Sequence, residues 1–308
     1  MVVSVLDRAG AAIDWISEGY RPAARPLAAL RIVFALYVLV WPRDISWLAT
    51  MSATGFDPPA GPFSLLPGPA PATAIHVLEV LRVVVALWLL IGWKTGIASG
   101  LLALILVVCS GLAYSFGKSD DVILFDLAPL MLGLAGWGSA WSKDARLGSA
   151  ARPRGFPMFV YATLIAFAMF TAAAAKATTG WLLPTRQATR FFVVVTADSP
   201  RSGLLADTVL RFDNAVFWKA LDYATAFVEG WLVVAVFIPI LFRVGLVLMG
   251  LFHVGVWLLL GIDFHLHAFV YAGFFLVPPA CYWRELALLR NVRTRLARPV
   301  AVIPQGAS

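Results

Sequence analysis

Phe170-Thr171-Ala172-Ala173-Ala174-Ala175-Lys176-Ala177-Thr178-Thr179-Gly180-Trp181 is the segment around which the chain is organised. An apolar helix rich in small residues ends here in one lysine and a Thr-Thr-Gly-Trp turn. Alanines let neighbouring helices approach closely, and an ammonium at the end of a membrane span must reach water or meet an anion. The pattern therefore predicts either a lysine that snorkels to the interface or a cation that lies in a shared polar site.

The composition indicates a membrane protein. Of 308 residues, 61% are hydrophobic and 13% are charged, and the mean hydropathy is +0.84. A water-soluble domain does not need so much apolar surface, so we expect several membrane spans and no second folded domain of ordinary size. The net charge of +7 lies mainly in short loops and the tail, and it does not indicate nucleic-acid binding. The two cysteines, Cys109 and Cys281, support no disulfide framework, zinc site or iron–sulfur cluster.

The first 20 residues predict an amphipathic helix at the membrane interface. Asp7 and Arg8 interrupt the apolar run that a cleavable signal peptide would need. Pro22 and Pro26 end this helix before the first span. The apolar residues recur at helical spacing, opposite acidic ones; they are Val2, Leu6, Ala9, Ile13 and Ile16, facing away from Asp7, Asp14 and Glu18. The sequence thus divides into an interfacial segment (1–26), a transmembrane domain (27–283) and a basic cytoplasmic tail (284–308).

The apolar segments of the transmembrane domain predict an all-α polytopic helix bundle with about eight spans. Each apolar segment is near the roughly 17–25 residues that a spanning helix needs, the fourth and eighth being marginal. The segments are 27–48, 76–93, 96–116, 121–137, 157–176, 215–240, 242–262 and 264–279. Between the fifth and sixth segments, the apolar run 191–195 is too short to cross the bilayer. It predicts a re-entrant or interfacial piece.

Charge asymmetry sets the expected orientation. With both termini in the cytoplasm, most arginines and lysines fall in the inner loops and the tail, and the outer stretch 52–75 contains none. This is the positive-inside pattern of an eight-span protein. Heavy use of Ala, Val and Arg with little Lys indicates a bacterial source, so we expect the bacterial plasma (inner) membrane.

On this topology, scarce ionisable residues gather on the extracytoplasmic side. Such residues are costly inside a bilayer, so their number predicts an outward-facing functional cavity. Lys176 ends span five, and Asp222 and Glu229 share a face of span six. The other outer groups are Asp120 and Asp121 at span four, Asp263, His265 and His267 at span eight, and His76, Glu79 and Arg82 at the start of span two, with His253 near the middle of span seven.

Each of these groups also has a purely structural interpretation. Glu79 and Arg82 are spaced for an intrahelical ion pair, Arg31 near the inner interface fits a snorkelling side chain, and His253 fits a hydrogen-bonded core histidine. His265 and His267 face apart on a helix and no third ligand is evident, so no metal site is predicted. Phosphate-binding loops, nucleophile elbows and paired cysteine motifs are absent from the sequence.

Several motifs resemble the HTTM domain, the membrane domain shared with vitamin K-dependent gamma-carboxylases. The helix and turn 172–181 resemble the carboxylase segment that bears its catalytic lysine. The polar residues 118–124 at the start of span four, with the later Trp141-Ser142-Lys143-Asp144 turn, are similar to a second family segment. Further matches are Leu30 to Phe34, Gly136-Trp137-Gly138, Glu229, and Leu251-Phe252-His253 with Gly261 and Phe264. The resemblance covers roughly residues 27–283.

This resemblance implies lipid-phase chemistry. In the carboxylases the lysine is the base in the oxygen-dependent oxidation of a hydroquinone, and by position Lys176 would be that base. Desolvation suits a lysine to this role, because it disfavours the ammonium form. Two departures matter: Asp121 stands where the carboxylases have a functional histidine, and the chain ends soon after the last span, without their large extracytoplasmic domain. We therefore do not expect gamma-carboxylation of a protein.

The sequence predicts a membrane protein that binds a quinone, its hydroquinone or another lipid-like molecule. Lys176 would be base or anion anchor with Asp121 as its partner, and His253 would form a second polar layer with Glu229. Trp181 would cover the ring, and the remaining ligand-binding residues would be Asp120, His265, His267, Glu79 and Arg82. Two alternatives stay open: a non-catalytic subunit or lipid-handling partner of a membrane complex, and a secondary transporter. Membrane lipids are expected partners in every case.

Overall fold

A computed structural model describes residues 2–41, 44–117, 122–200 and 202–283. Within these ranges the protein is helical and has no β-strand. The helices are α1 Val2–Gly19, α2 Ala24–Val40, α3 Ala72–Ile91, α4 Thr95–Tyr114, α5 Ile123–Leu134, α6 Lys143–Arg146, α7 Phe156–Thr178, α8 Ala188–Ala197, α9 Ala206–Leu210, α10 Ala215–Ala235, α11 Pro239–Leu260 and α12 Leu266–Ala272. The expected all-α class is thereby confirmed, and the N-terminal helix with its break before α2 is present. The tail 284–308 lies outside the described residues.

Four helices are long and apolar enough to cross a membrane, namely α3, α4, α7 and α11. A fifth span results if the second half of α1 and helix α2, which are bent by 71°, are counted together. The chain is therefore a multi-pass helical membrane protein with four to five candidate spans among the described residues. Helix α10 has 21 residues but carries Lys219, Asp222 and Glu229 along its length.

The fourth and eighth predicted spans are short helices in the structure. Helix α5 has 12 residues and contains Pro129, and α12 has seven residues before a 3₁₀ turn at Gly273–Phe275. At 1.5 Å per residue, α5 is about 18 Å long, against about 30 Å of bilayer hydrocarbon. Helix α8 has 10 residues and is likewise too short to cross, as the sequence predicted for the run 191–195.

The bundle is held by two close helix pairs. Helix α7 packs most extensively against α10, and α4 packs against α5. The alanines at the end of α7 make the first pair close: a Cβ added to Gly230 of α10 would lie 3.5 Å from the Cβ of Ala173. Close backbone approach of this kind supports helix association in membranes. The α7–α10 pair brings the end of α7 beside the middle of α10, where the candidate site lies.

Helix α1 is fixed to the bundle at its C-terminal end. The buried Tyr20 hydroxyl donates a hydrogen bond to the carbonyl of Val236 at 2.7 Å. Arg243, also buried, donates to the carbonyls of Gly19 at 2.5 Å and Phe274 at 2.8 Å. These bonds satisfy backbone carbonyls at the end of α1 and beside α12. Ile13 and Trp15 remain exposed on α1, as an interfacial helix requires, and its position in the membrane stays a prediction.

Gly155→Ala is expected to destabilise the protein by about 1–3 kcal/mol, the usual cost of overpacking. A Cβ at Gly155 would overlap the backbone carbonyl of Ser17, which cannot rotate away. Thermal unfolding in detergent measures the loss. Gly250→Ala in α11 is the control, because nothing lies within 4 Å of its added Cβ. Equal midpoints for the two variants would contradict the close contact between the end of α1 and the start of α7.

Candidate functional site

Lys176 at the end of α7 forms an ion pair with Glu229 of α10. Its Nζ lies 2.7 Å from each carboxylate oxygen of Glu229. The Lys176 side chain is 20% exposed and that of Glu229 is 6% exposed. Of the two arrangements expected for Lys176, the structure has the second: the ammonium contacts an anion that comes from a neighbouring helix. Glu229, which the sequence placed in a second layer with His253, is the direct partner of Lys176.

Trp181 covers this ion pair. The Nζ of Lys176 lies 5.5 Å from the centroid of the Trp181 ring, a distance suited to a cation–π interaction. The indole also stacks on Phe192 of α8, with ring centroids 5.5 Å apart and planes 28° apart. Trp181, predicted as a ring-covering residue, therefore connects the ion pair to the amphipathic helix α8.

A second ion pair holds Trp181 in place. Lys219 Nζ donates to the carbonyls of Trp181 and of Arg186, the latter at 3.0 Å, and lies 3.0 Å from Asp222. The fully buried Asp222 accepts the first backbone N–H groups of α8, from Ala188 at 3.1 Å and Thr189 at 2.8 Å. The turn before α8 is thus tied to α10. Asp222 was among the residues expected at the predicted cavity, but neither it nor Lys219 was predicted as a ligand-binding residue, although their i,i+3 spacing indicates a pair.

His253 and His267 meet inside the helix bundle. Their ring centroids are 4.8 Å apart, and the His253 ring stacks on Phe264 at 4.4 Å. The ring of Tyr271 is nearly parallel to that of His253, with centroids 6.0 Å apart. All but Phe264 are at least nine-tenths buried. The two predicted histidines come together from α11 and α12, while Tyr271 carried no sequence signal beyond its aromatic character.

His265 points away from this cluster, as its spacing from His267 predicted. Its Nδ1 lies 2.7 Å from Asp263 Oδ2 and its Nε2 lies 2.7 Å from the Tyr37 hydroxyl. The His265 side chain is 50% exposed. Within the described residues no group of three or more His, Cys, Asp or Glu side chains has metal-binding geometry. Tyr37 is a member of this arrangement that sequence analysis missed.

Glu79 and Arg82 of α3 line a cavity of about 450 Å³ together with Asp44. Glu79 accepts the backbone N–H of Ile45 at 3.3 Å and lies 4.0 Å from His76. Arg82 is 4% exposed. The cavity is separate from the Lys176–Glu229 pair in its lining residues, so these two predicted ligand-binding residues form their own polar pocket.

The outer polar residues therefore form several groups. Among the described residues, the ionic and ring contacts of Lys176 and Glu229 are with each other and with Trp181, and none reaches His253. Asp120 and Asp121 lie outside the described residues, so Asp121 as a partner of Lys176 stays a prediction.

On the predicted inner side, Arg31 is fully buried and does not snorkel. It donates a hydrogen bond from Nη2 to the carbonyl of Trp141 at 2.6 Å. Next to it, Asp144 accepts the backbone N–H groups of Lys94 at 2.7 Å and Thr95 at 2.8 Å, together with the Thr95 hydroxyl. Burial alone would raise the pKa of the Asp144 carboxyl, but the hydrogen bonds from Thr95 and Lys94 and the charge of Arg31 hold that pKa below its ordinary value.

An apolar hollow of about 780 Å³ lies beneath the Pro-rich segment that precedes α3. The hollow is lined by Phe63 and Leu66 of that segment, by Val77 of α3 and by Val108 of α4. Its volume falls within the roughly 300–1,000 Å³ of small-molecule sites. The segment is held down by a hydrogen bond from the Asp57 N–H to the Ser115 carbonyl at 2.8 Å. The side predicted to face outward thus offers apolar space as well as charge.

No family model, no curated protein and no solved structure matches the chain. The resemblance to the HTTM domain therefore stays a prediction.

Proposed function

We propose that this protein is a multi-pass protein of the bacterial plasma membrane that binds a quinone or another lipid-like molecule on its extracytoplasmic side. Eight membrane segments, with α5 and α12 as the short ones, and two cytoplasmic termini accord with its charge asymmetry. The observation that carries the proposal is the partly exposed Lys176–Glu229 pair under the ring of Trp181.

The pair suits a neutral ligand with a polar head. An ammonium has three N–H donors, and the described residues supply hydrogen-bond acceptors to Lys176 only in the two oxygens of Glu229. Within the part of the chain that the structure describes, this leaves the third N–H for a carbonyl oxygen at the exposed edge of the pair. Because Glu229 neutralises the ammonium, the site does not require an anion. A quinone offers both features, a carbonyl acceptor and a flat ring that an indole can cover.

The same geometry limits Lys176 as a base. A carboxylate that accepts two hydrogen bonds from an ammonium stabilises the charged form. A carboxylase-like reaction would therefore need Glu229 to take the lysine proton first. We accordingly assign Lys176 to anchoring the ligand, and we treat redox or base chemistry on the hydroquinone as a further property that Glu229 would have to support.

Duroquinone is expected to bind to the wild-type protein in lipid nanodiscs and to bind about tenfold or more weakly to the double variant Lys176→Met/Glu229→Leu. The double variant removes both charges, so neither is left buried without its partner. The loss of affinity therefore measures a charge-assisted hydrogen bond to the ligand. Equilibrium dialysis measures the Kd. The control is Arg190→Ala, which breaks the more exposed Arg190–Asp213 pair and should leave the Kd unchanged. Equal affinity in the double variant would remove Lys176 from the site.

A second candidate function is a non-catalytic membrane subunit. It is favoured by the separate neutralisation of charges, since Lys176, Lys219 and Arg190 each have their own acidic partner. The outward face of α3 is also apolar and exposed at Val77, Val80 and Val84, as a face turned to lipid or to another helix would be. Purification in mild detergent separates the functions: a stoichiometric companion protein with no bound small molecule supports the subunit.

A further inference from the structure

The turn between α3 and α4 carries an exposed tryptophan beside a lysine. Gly92, Trp93 and Lys94 form this turn. Both helices are candidate membrane spans, so the turn that joins them lies at a membrane surface. Trp93 is 42% exposed, and tryptophan is enriched at the headgroup level of a bilayer. The turn is therefore placed among lipid headgroups.

Helix α6 brings a second lysine to this turn. The backbone N–H of Asp144 donates a hydrogen bond to the carbonyl of Gly92 at 3.0 Å, and the Asp144 carboxylate accepts the backbone N–H of Lys94 at 2.7 Å. Lys143, the residue before Asp144, is thereby held beside Trp93. The Nζ atoms of Lys143 and Lys94 lie 5.1 Å and 5.3 Å from the centroid of the Trp93 ring. Two ammonium groups thus converge on one indole.

The described residues supply no ion-pair partner to either ammonium. The adjacent carboxylate, that of Asp144, is buried, and its two oxygens accept the backbone N–H groups of Lys94 and Thr95 and the Thr95 hydroxyl. The buried guanidinium of Arg31 is a further source of positive charge beside that carboxylate. Like charges that lie close together repel each other. The two ammonium groups therefore favour an anion that comes from outside the protein.

The surface around the two ammonium groups is apolar. Ile91 at the end of α3 and Ile97 in the first turn of α4 are exposed, and so are Trp141 and Leu147 on either side of α6. Contact with these side chains would stabilise an anion that carries hydrocarbon chains, because the contact removes apolar surface from water. A small soluble anion has no apolar part to make that contact. The patch is therefore complementary to an amphipathic anion in both charge and polarity.

We propose that Lys94, Lys143 and Trp93 form a binding site for the phosphate headgroup of an anionic phospholipid of the phosphatidylglycerol class. The two ammonium groups donate hydrogen bonds to the phosphate oxygens. The indole lies against the glycerol, and Ile91 and Ile97 contact the acyl chains. The lipid comes from the leaflet that the α3–α4 turn faces, which the charge asymmetry predicts to be the cytoplasmic one. The site shares no residue with the Lys176–Glu229 pair and does not depend on the quinone proposed there.

Native mass spectrometry of the full chain in detergent, titrated with dioleoyl phosphatidylglycerol and separately with dioleoyl phosphatidylcholine, tests this site. The wild type should bind its first phosphatidylglycerol about tenfold or more tightly than phosphatidylcholine. Lys94→Gln/Lys143→Gln should weaken phosphatidylglycerol binding by about tenfold to thirtyfold, the effect expected of two lysines at an anionic headgroup, and should change phosphatidylcholine binding little. Because both side chains are exposed, the unfolding midpoint without lipid should equal that of the wild type.

Two control variants separate this patch from positive charge in general. Lys94→Arg/Lys143→Arg keeps both charges and should keep the preference for phosphatidylglycerol. Arg25→Gln/Arg211→Gln also removes two positive charges, from exposed arginines at the start of α2 and just after α9. It should bind both lipids as the wild type does.

Equal affinity for the two lipids in the wild type would overturn the proposal, as would a phosphatidylglycerol preference that persists in Lys94→Gln/Lys143→Gln. Displacement of the bound lipid by excess glycerol 3-phosphate would assign the patch to a soluble phosphate instead. An acidic protein that co-purifies with the wild type and not with the glutamine variant would assign it to a protein partner, which also contradicts a lipid site. Lys176→Met/Glu229→Leu should keep the phosphatidylglycerol preference, so a failure of the quinone site leaves this inference standing.

Discussion

Replacing Glu229 by leucine should destabilise the protein by about 3 kcal/mol, because it leaves the ammonium of Lys176 largely buried without its anion. The double variant Lys176→Met/Glu229→Leu should recover most of this loss and come within about 1 kcal/mol of the wild type, since two apolar side chains of similar volume can replace a buried ion pair. Thermal unfolding of the purified protein in one detergent, followed by circular dichroism, measures the series. The single variant Lys176→Met completes the double-mutant cycle.

The exposed pair Arg190–Asp213 is the matched comparison, because its side chains are 31% and 85% exposed. Surface pairs contribute about 0–1 kcal/mol, so Asp213→Leu should have little effect. Additive losses in the Lys176–Glu229 cycle would contradict the ion pair, as would a double variant less stable than either single one.

Asp144→Asn should produce the second large loss, about 2–3 kcal/mol. The carboxylate receives two backbone N–H groups and one hydroxyl at the start of α4, and hydrogen bonds to charged groups contribute about 1.5–3 kcal/mol. An asparagine keeps the shape but turns an NH₂ group towards one of these donors. Ser149→Ala is the control, since the Ser149 hydroxyl bonds to the Asp144 backbone carbonyl and does not contact its carboxylate.

The loss at Asp144 has a defined pH dependence. The folded-state pKa lies below the ordinary value of 3.8, so the carboxylate contributes its full stability above that value and loses it as the pH falls through the lower, folded-state pKa. The stability difference between wild type and Asp144→Asn should therefore be constant from pH 8 to pH 5 and shrink below pH 3.8. Unfolding midpoints at matched ionic strength measure the difference, and a gap that closes near neutral pH would contradict this assignment.

Much of the fold could be predicted because apolar runs are local signals. The ends of α3, α4, α7 and α11 fall within a few residues of the apolar segments in the sequence. The fourth and eighth segments were harder, because their apolar character does not reveal where a helix ends. Pro129 within α5 and the 3₁₀ turn after α12 reflect packing inside the bundle, which hydropathy does not record.

The sequence predicted Lys176 and Glu229 as candidate site residues but not their contact with each other. Lys176 stands out as a charge at the end of a small-residue helix, and Glu229 stands out inside a span. The two residues are 53 positions apart, and their pairing depends on the packing of α7 against α10. The spacing of residues in the sequence does not reveal that packing. Tyr37 gave no signal at all, because a tyrosine near a membrane interface is ordinary. Arg31 was predicted to snorkel because of its expected position near the inner interface. Its hydrogen-bond acceptor, the Trp141 carbonyl, lies in a turn far along the chain.

Photolabelling with a ring-azido quinone, followed by mass spectrometry of the peptides, tests most directly whether a quinone binds beside Lys176 and Glu229. We expect adducts on the segment around Lys176 and Trp181 and on the middle of α10. Excess duroquinone should prevent them, and Lys176→Met/Glu229→Leu should lose them. Adducts confined to the lipid-facing side of α3, or equally strong in the double variant, would contradict a binding site at this ion pair.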